Sequence, residues 1–165
     1  MTPLANYCVA PIGHVRGVRP NPEDDYWGGE QSRIELVKEF DSEALLGLQD
    51  FSHVEVIFLF HEVSETKVIT RARHPRNNTA WPKVGIFSQR GKSRPNRIGS
   101  TICKVVAVSG SVIVVEELDA IDGTPVLDIK PVMKQFLPRA DVKQPAWSTE
   151  LMADYWRQKP GENVA

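Results

Sequence analysis

The sequence predicts an all-β protein, a barrel or a sandwich, with only brief helices. Three observations carry this. The apolar runs are short and are bounded by proline, glycine and asparagine. The strongest of them, His53 to His61 (HVEVIFLFH), is apolar enough in its second half for both faces to be covered. Finally, Ser109-Gly110 separates ICKVVAV from SVIVVEEL, two runs of similar length, which is a hairpin signal.

Taken in order, Tyr7 to Val18 is β-rich but broken by Pro11 and Gly13, as at a bend or bulge. Arg19 to Gly29 (RPNPEDDYWGG) is a loop by composition, and its Tyr26 and Trp27 either pin it to the core or wall a planar ligand. Arg33 to Lys38 alternates as a strand does. Asp41 or Ser42 is placed to cap a helix of about two turns over EALLGLQ. Val63 to Pro82 reads as irregular, and strands are expected near Val84–Phe87 and Thr101–Val108. A helix capped by Ser148 is expected to run to Gln158. The expected organisation is a barrel domain over 1–138 and a tail with a short helix over 139–165.

A chain of 165 residues buries a real core without staples, and 41% hydrophobic with 25% charged residues is the composition of a soluble globular protein. Cys8 and Cys103 lie in apolar segments without CxxC spacing, so two buried thiols in a reducing compartment are expected, not a disulfide framework. No signal peptide or membrane-length apolar run is visible, which predicts a cytoplasmic protein. Four scattered histidines give no metal-ligand spacing, so no metal is expected.

The formal net charge of −1 conceals a division: −8 over residues 1–65, +10 over 66–115 and −3 over 116–165. The middle stretch contains no carboxylate at all. It reads either as a positive surface offered to an anion, nucleic acid first, or as charge neutralised by acids from the other two stretches. Within it, Gly85 to Ser100 (GIFSQRGKSRPNRIGS) crowds Arg90, Lys92, Arg94 and Arg97 onto a glycine-rich loop between two expected strands. Gly91-Lys92-Ser93 is not the end of a P-loop, because five residues separate Gly85 from Gly91 where that motif needs four, and Pro95 opposes the helix it requires. No GxGxxG occurs, which argues against a dinucleotide fold. A second dense stretch, Asp119 to Pro131 (DAIDGTPVLDIKP), opens on a turn sequence and ends with Asp128 and Lys130 alternating with Leu127 and Ile129. The hairpin places the Gly85–Ser100 loop and Leu118 to Gly123 at one end of the sheet.

FSQRGKSRPNRIGS followed by LDAIDGTPVLDIKP, with FSHVEVIFLFH and PIGHVRG upstream, resembles the YaeB/TrmO-like family, also called TsaA-like. The resemblance runs from about Ile12 to Pro131. It implies a small β-barrel, usually a homodimer, that binds S-adenosylmethionine outside the Rossmann framework and methylates N6 of threonylcarbamoyl-adenosine at position 37 of tRNA. It also implies a cofactor site built from His61, Glu62, Arg90, Ser100 and the turn Ile121, Asp122, Gly123 and Thr124. Arg94, Pro95 and Asn96 match the family's RPN core, and Asp128, Lys130 and Pro131 its DIKP. The family's RPNP is RPNR here, which places Arg97 outside the pattern. The Tyr26–Trp27 loop stands where a longer family loop helps cover the cofactor, and the chain lacks the C-terminal extension of the longer members.

From the charge division, Arg71, Arg73 and Arg76, with Lys92, Arg94, Asn96 and Arg97, are the candidate RNA contacts. Methyl transfer asks the protein mainly to position a nucleophile in line and exclude water, and an anticodon loop exposes its bases without the cost of opening a duplex. No residue is identified as the catalytic base. Two alternatives stay open: the same cofactor class acting on a small molecule or protein, and a non-catalytic adenosylmethionine-binding regulatory or RNA-binding barrel.

Overall fold

The structure is a computed structural model, and it describes residues 6–161; the outermost residues of the two expected segments, 1–5 and 162–165, lie outside them. Among the described residues eight strands form in chain order: β1 (Gly13–Arg16), β2 (Gln31–Leu36), β3 (His53–Leu59), β4 (Ala72–Arg73), β5 (Val84–Gly85), β6 (Ile98–Ser109), β7 (Val112–Glu116) and β8 (Pro125–Pro131). Six close into a barrel in the order β1-β2-β7-β6-β3-β8, every pair antiparallel. Closure leaves that sheet no free edge. Of the two architectures open from the residues, the barrel is the one adopted.

Period-two alternation builds the interior. Val54, Val56 and Phe58 point inward from β3, Ile113 and Val115 from β7, and Val15, Ile34, Cys103 and Val126 from their neighbours, all buried in one cluster. The long apolar strand therefore alternates: Glu55, Ile57 and Leu59 are half-buried on its outer face. The β6–β7 hairpin turns at Gly110, whose φ of +57° suits glycine.

Several expectations are corrected. EALLGLQ forms two separate 3-10 turns, Ser42–Leu45 and Leu48–Asp50, because Gly47 between them takes φ +85°. Asp41 is the cap of the first, accepting from the Glu43 N–H. The tail helix is Ala146–Leu151, with Ser148 inside it and its hydroxyl donating back to the Pro145 carbonyl. The strand expected at Val84–Phe87 stops at Gly85 and becomes a 3-10 turn, and it pairs with β4 inside the stretch read as irregular. β1 is confined to four residues, and β6 starts early enough to include Gly99 and Ser100. Cys103 is buried as expected, but Cys8 is exposed.

The register puts at one end of the barrel the C-termini of β1, β3 and β7 and the N-termini of β2, β6 and β8. The other end carries the two 3-10 turns and the β6–β7 hairpin.

Candidate functional site

The first barrel end collects the first dense stretch and the opening of the second, from Asp119 to Thr124. His61 and Glu62 are exposed just beyond β3, where the Phe60 N–H donates to the Arg97 carbonyl at 2.8 Å. Arg90, on the loop entering β6, donates to the Ser100 carbonyl. The turn from Ile121 to Thr124 is closed by Thr124 N–H to the Ile121 carbonyl at 3.2 Å, with Gly123 at φ +80°. β1 and the residues just after it clamp this turn. Gly123 N–H donates to the Val15 carbonyl at 2.8 Å, Asp122 N–H to the Arg19 carbonyl at 3.1 Å, and Gly17 N–H to Asp122 Oδ1 at 3.0 Å. Ile121 and Thr124 are buried, so their side chains belong to the barrel wall, while Asp122 is exposed.

Three residues missed from the sequence join this end. Asp119 accepts from the Thr101 hydroxyl on one carboxylate oxygen and from the Tyr155 hydroxyl on the other. Burial first, then the Asp119 charge and hydrogen bond, push the Tyr155 phenol upward, opposed in part by Arg76 and Arg90. The phenol therefore keeps its proton. Asp119 lies within a stretch that the sequence marks as dense, but no local spacing relates it to Tyr155, 36 positions away.

The aromatic loop resolves into two roles. Trp27 is 3% exposed, with the Arg19 guanidinium 3.9 Å from its ring centroid, so it pins the loop to the body of the protein. Arg19 also donates to the Tyr26 carbonyl and to Glu30 Oε1, the latter at 2.9 Å. Tyr26 is half-buried at φ +65°. The C-terminal segment lies along this loop: the N–H groups of Tyr26, Trp27 and Gly28 donate to the carbonyls of Asp154, Tyr155 and Arg157. A cleft of about 150 Å³ is lined by Tyr26, Gly28, Glu30, Gln31, Gln158 and Lys159 among others. A larger one of about 450 Å³ lies at the opposite end, among Ile12, Phe40, Leu45, Leu48 and Ile129. Its lining is mainly apolar, takes in Asp128 and Pro131 of the DIKP motif, and contains none of the cofactor candidates, so size alone does not mark the site.

The candidate RNA contacts divide. Arg76 forms a bidentate pair with Asp25 at 2.7 and 2.8 Å, and that carboxylate's hydrogen bond and charge raise its pKa against the opposing effect of burial. Arg97, at φ +54°, donates to the Val63 carbonyl at 2.7 Å and pairs with Glu65 at 3.6 Å. Arg73 donates to Asn77 Oδ1 at 2.8 Å, and Arg94 to the Gln89 carbonyl at 3.0 Å. Arg71, Lys92 and Asn96 are exposed, and Pro95 is half-buried between them. Acids from the first stretch thus neutralise part of the basic segment and leave the rest. Asp128, Lys130 and Pro131 sit along β8, with Lys130 Nζ 2.6 Å from Asp128 Oδ2 and opposite Glu55 in register, away from the Ile121–Thr124 turn. Glu55 in turn accepts from the Ser100 hydroxyl. Among the described residues, no cluster of His, Cys, Asp and Glu could hold a metal ion, and no helix is long and apolar enough to cross a membrane.

The family model of the tRNA-methyltransferase O N-terminal domain matches residues 21–138, more than half of the chain. The chain belongs to this family. The match takes in the motif loop and the DGTP turn and stops before Tyr155. The human tRNA (adenine(37)-N6)-methyltransferase is 41% identical over 62% of this chain, which spans 23% of that protein's length. The mouse enzyme of the same name is 43% identical over 56% of this chain, which spans 21% of it. A protein of Methanothermobacter thermautotrophicus named "Probable S-adenosyl-L-methionine-binding protein" is 33% identical over 74% of this chain and 88% of its own length. The crystal structure of TrmO from Pseudomonas aeruginosa superposes with a TM-score of 0.72 at 27% identity, covering 89% of this chain and 64% of that one.

Proposed function

We propose that this protein is an S-adenosylmethionine-dependent methyltransferase acting on N6 of (threonylcarbamoyl)adenosine at position 37 of tRNA, as a cytoplasmic homodimer. The observation that carries the reading is the meeting, at one barrel end, of the motif loop with Arg90 and the DGTP turn with Asp122. The names of the human and mouse relatives support the reaction, and that of the archaeal relative supports the cofactor.

The residues fit the cofactor. Carboxylates of Asp119 and Asp122 suit hydroxyl or amino groups, and the Arg90 guanidinium suits a carboxylate. A Cβ added at Gly123 would meet nothing closer than an Arg16 nitrogen at 3.8 Å, so a ligand has room to approach the turn. When bound, the cofactor supplies an electrophilic sulfonium methyl. The protein's part is to orient that group through Arg90 and the Ile121–Thr124 turn, to keep water away from it, and to hold the acceptor in line. Exposed Arg71, Lys92 and Asn96, with half-buried Arg94 beside them, provide phosphate and backbone contacts for the RNA. The homodimer is supported by Ile98, Ile102 and Val106, 40%, 47% and 43% exposed along β6, although Ser100 and Lys104 interrupt them on that face.

The test is to incubate the protein with methyl-labelled adenosylmethionine and total tRNA and to identify the labelled nucleoside. Label in N6-methylated threonylcarbamoyladenosine is the expected result. Label confined to a small molecule or to protein would redirect the reading to that substrate, and cofactor binding without any transfer would leave a regulatory barrel.

A further inference from the structure

The strongest feature left unexplained is the C-terminal segment, which lies beyond the family match of residues 21–138 and yet reaches the candidate site. We propose that Tyr155 is a positioning residue of the cofactor site, its hydroxyl holding the Asp119 carboxylate in place while Asp154–Arg157 forms one wall of that site. The inference rests on the cofactor reading above.

The first support is the state of Asp119. Both oxygens are held by hydroxyl donors, Thr101 from the barrel and Tyr155 from the tail, and among the described residues no lysine, arginine or histidine forms an ion pair with it. A half-buried carboxylate held only by hydroxyl donors is left without a cationic partner, which opens it to the amino group or sulfonium of a cationic ligand. The pKa of Tyr155 is raised by burial and by Asp119, so the phenol acts as a standing donor.

The second support is that the tail is built into this end. A Cβ at Gly28 would lie 2.0 Å from the Trp156 carbonyl oxygen, so only glycine admits the segment. Three consecutive loop N–H groups are satisfied by its carbonyls. It is also anchored on both flanks, by the Trp81 indole N–H to Glu150 at 2.8 Å and by Lys159 to Glu23 at 3.2 Å. Displacing it would strip the loop's N–H groups of their partners together, which argues for a fixed wall over a removable plug.

The test pairs Tyr155→Phe, which removes one hydroxyl, with Gly28→Ala, which forces the segment off the loop. Adenosylmethionine affinity is measured by calorimetry on protein freed of copurified ligand, with thermal unfolding as the check on folding. Tyr155→Phe is expected to weaken binding about tenfold, the effect of losing one hydrogen bond to a charged group, and Gly28→Ala to weaken it at least as much. In the unmodified protein, amide exchange at Tyr26, Trp27 and Gly28 should slow on saturation with cofactor by more than at the β6–β7 hairpin at the opposite end, a difference that needs no variant and that a merely structural tyrosine would not produce. Unchanged affinity in folded Tyr155→Phe, or exchange indifferent to cofactor, would overturn the inference while leaving the cofactor reading intact. Tighter binding by either variant would overturn it in favour of a plug. A parent protein that binds no adenosylmethionine would overturn both.

Discussion

At the scale of single residues, glycines mark where two parts of the chain approach most closely. Gly99 pairs with Phe58 between β6 and β3. A Cβ there would stand 2.5 Å from two ring carbons of Phe58 and 3.0 Å from the ring of Phe60. Phe58 is fully buried and packs edge-to-face on Phe60, so neither ring can yield without disturbing the core. Gly99→Ala is therefore expected to destabilise the fold by about 1–3 kcal/mol, the range for overpacking. Urea unfolding measures this, and an unshifted midpoint would mean that the Phe58 ring moves at no cost. Gly123 differs: its constraint is the left-handed backbone at φ +80°, not a neighbour.

At the scale of elements, the basic segment is two things joined. One part is an internal scaffold, in which Arg76 binds the Asp25 carboxylate and Arg97 ties the loop after β3 to the loop before β6. The other is a free surface carrying Arg71 and Lys92. The two parts respond differently to mutation. Arg76→Ala should lower stability by about 1 kcal/mol, the upper end for a partly exposed ion pair, because the loop Asp24–Asp25 loses its anchor. Arg71→Ala with Lys92→Ala should leave the melting temperature alone and weaken tRNA binding across sequences, flattening the salt dependence by about one unit of slope per lost contact. Affinity measured at two salt concentrations, beside a melting curve, separates the two. If the double variant bound tRNA with the parent's salt slope, the phosphate-binding face would lie elsewhere.

At the scale of the molecule, barrel closure seals one thiol and leaves the other in water. Cys103 faces the core opposite Val54, and burial, followed by the charges of Asp119 and Glu117, pushes its pKa far above the usual thiol range. Its thiolate, the reactive form, is therefore suppressed in the folded state. Cys8 is exposed on the N-terminal segment. Native protein at pH 8 should thus react with one equivalent of a thiol reagent, and with two in denaturant. The rate at which the second reacts under native conditions reports opening of the barrel. Fast modification of both would contradict a closed barrel.

The sequence by itself determined what depends on near neighbours. Alternating apolar residues predicted strands, Ser109-Gly110 predicted the hairpin and with it the meeting of the motif loop and the DGTP turn at one sheet end, and the motif order predicted the family. Each of these is a relation between residues a few positions apart, or between segments joined by a single turn. The tertiary structure decided what depends on closure and on distant partners. A barrel and a sandwich share the same strand pattern and differ only in whether β8 returns to pair with β1. The helix pattern at EALLGLQ gave way to turns because Gly47 adopts a left-handed backbone, and the helix containing Ser148 stops at Leu151, beyond which residues bond to the aromatic loop. The Arg76–Asp25 pair spans 51 positions, and the Tyr155–Asp119 contact 36. Neither leaves a periodic trace in the sequence, since only the folded barrel brings those charges and hydroxyls within a hydrogen bond of one another.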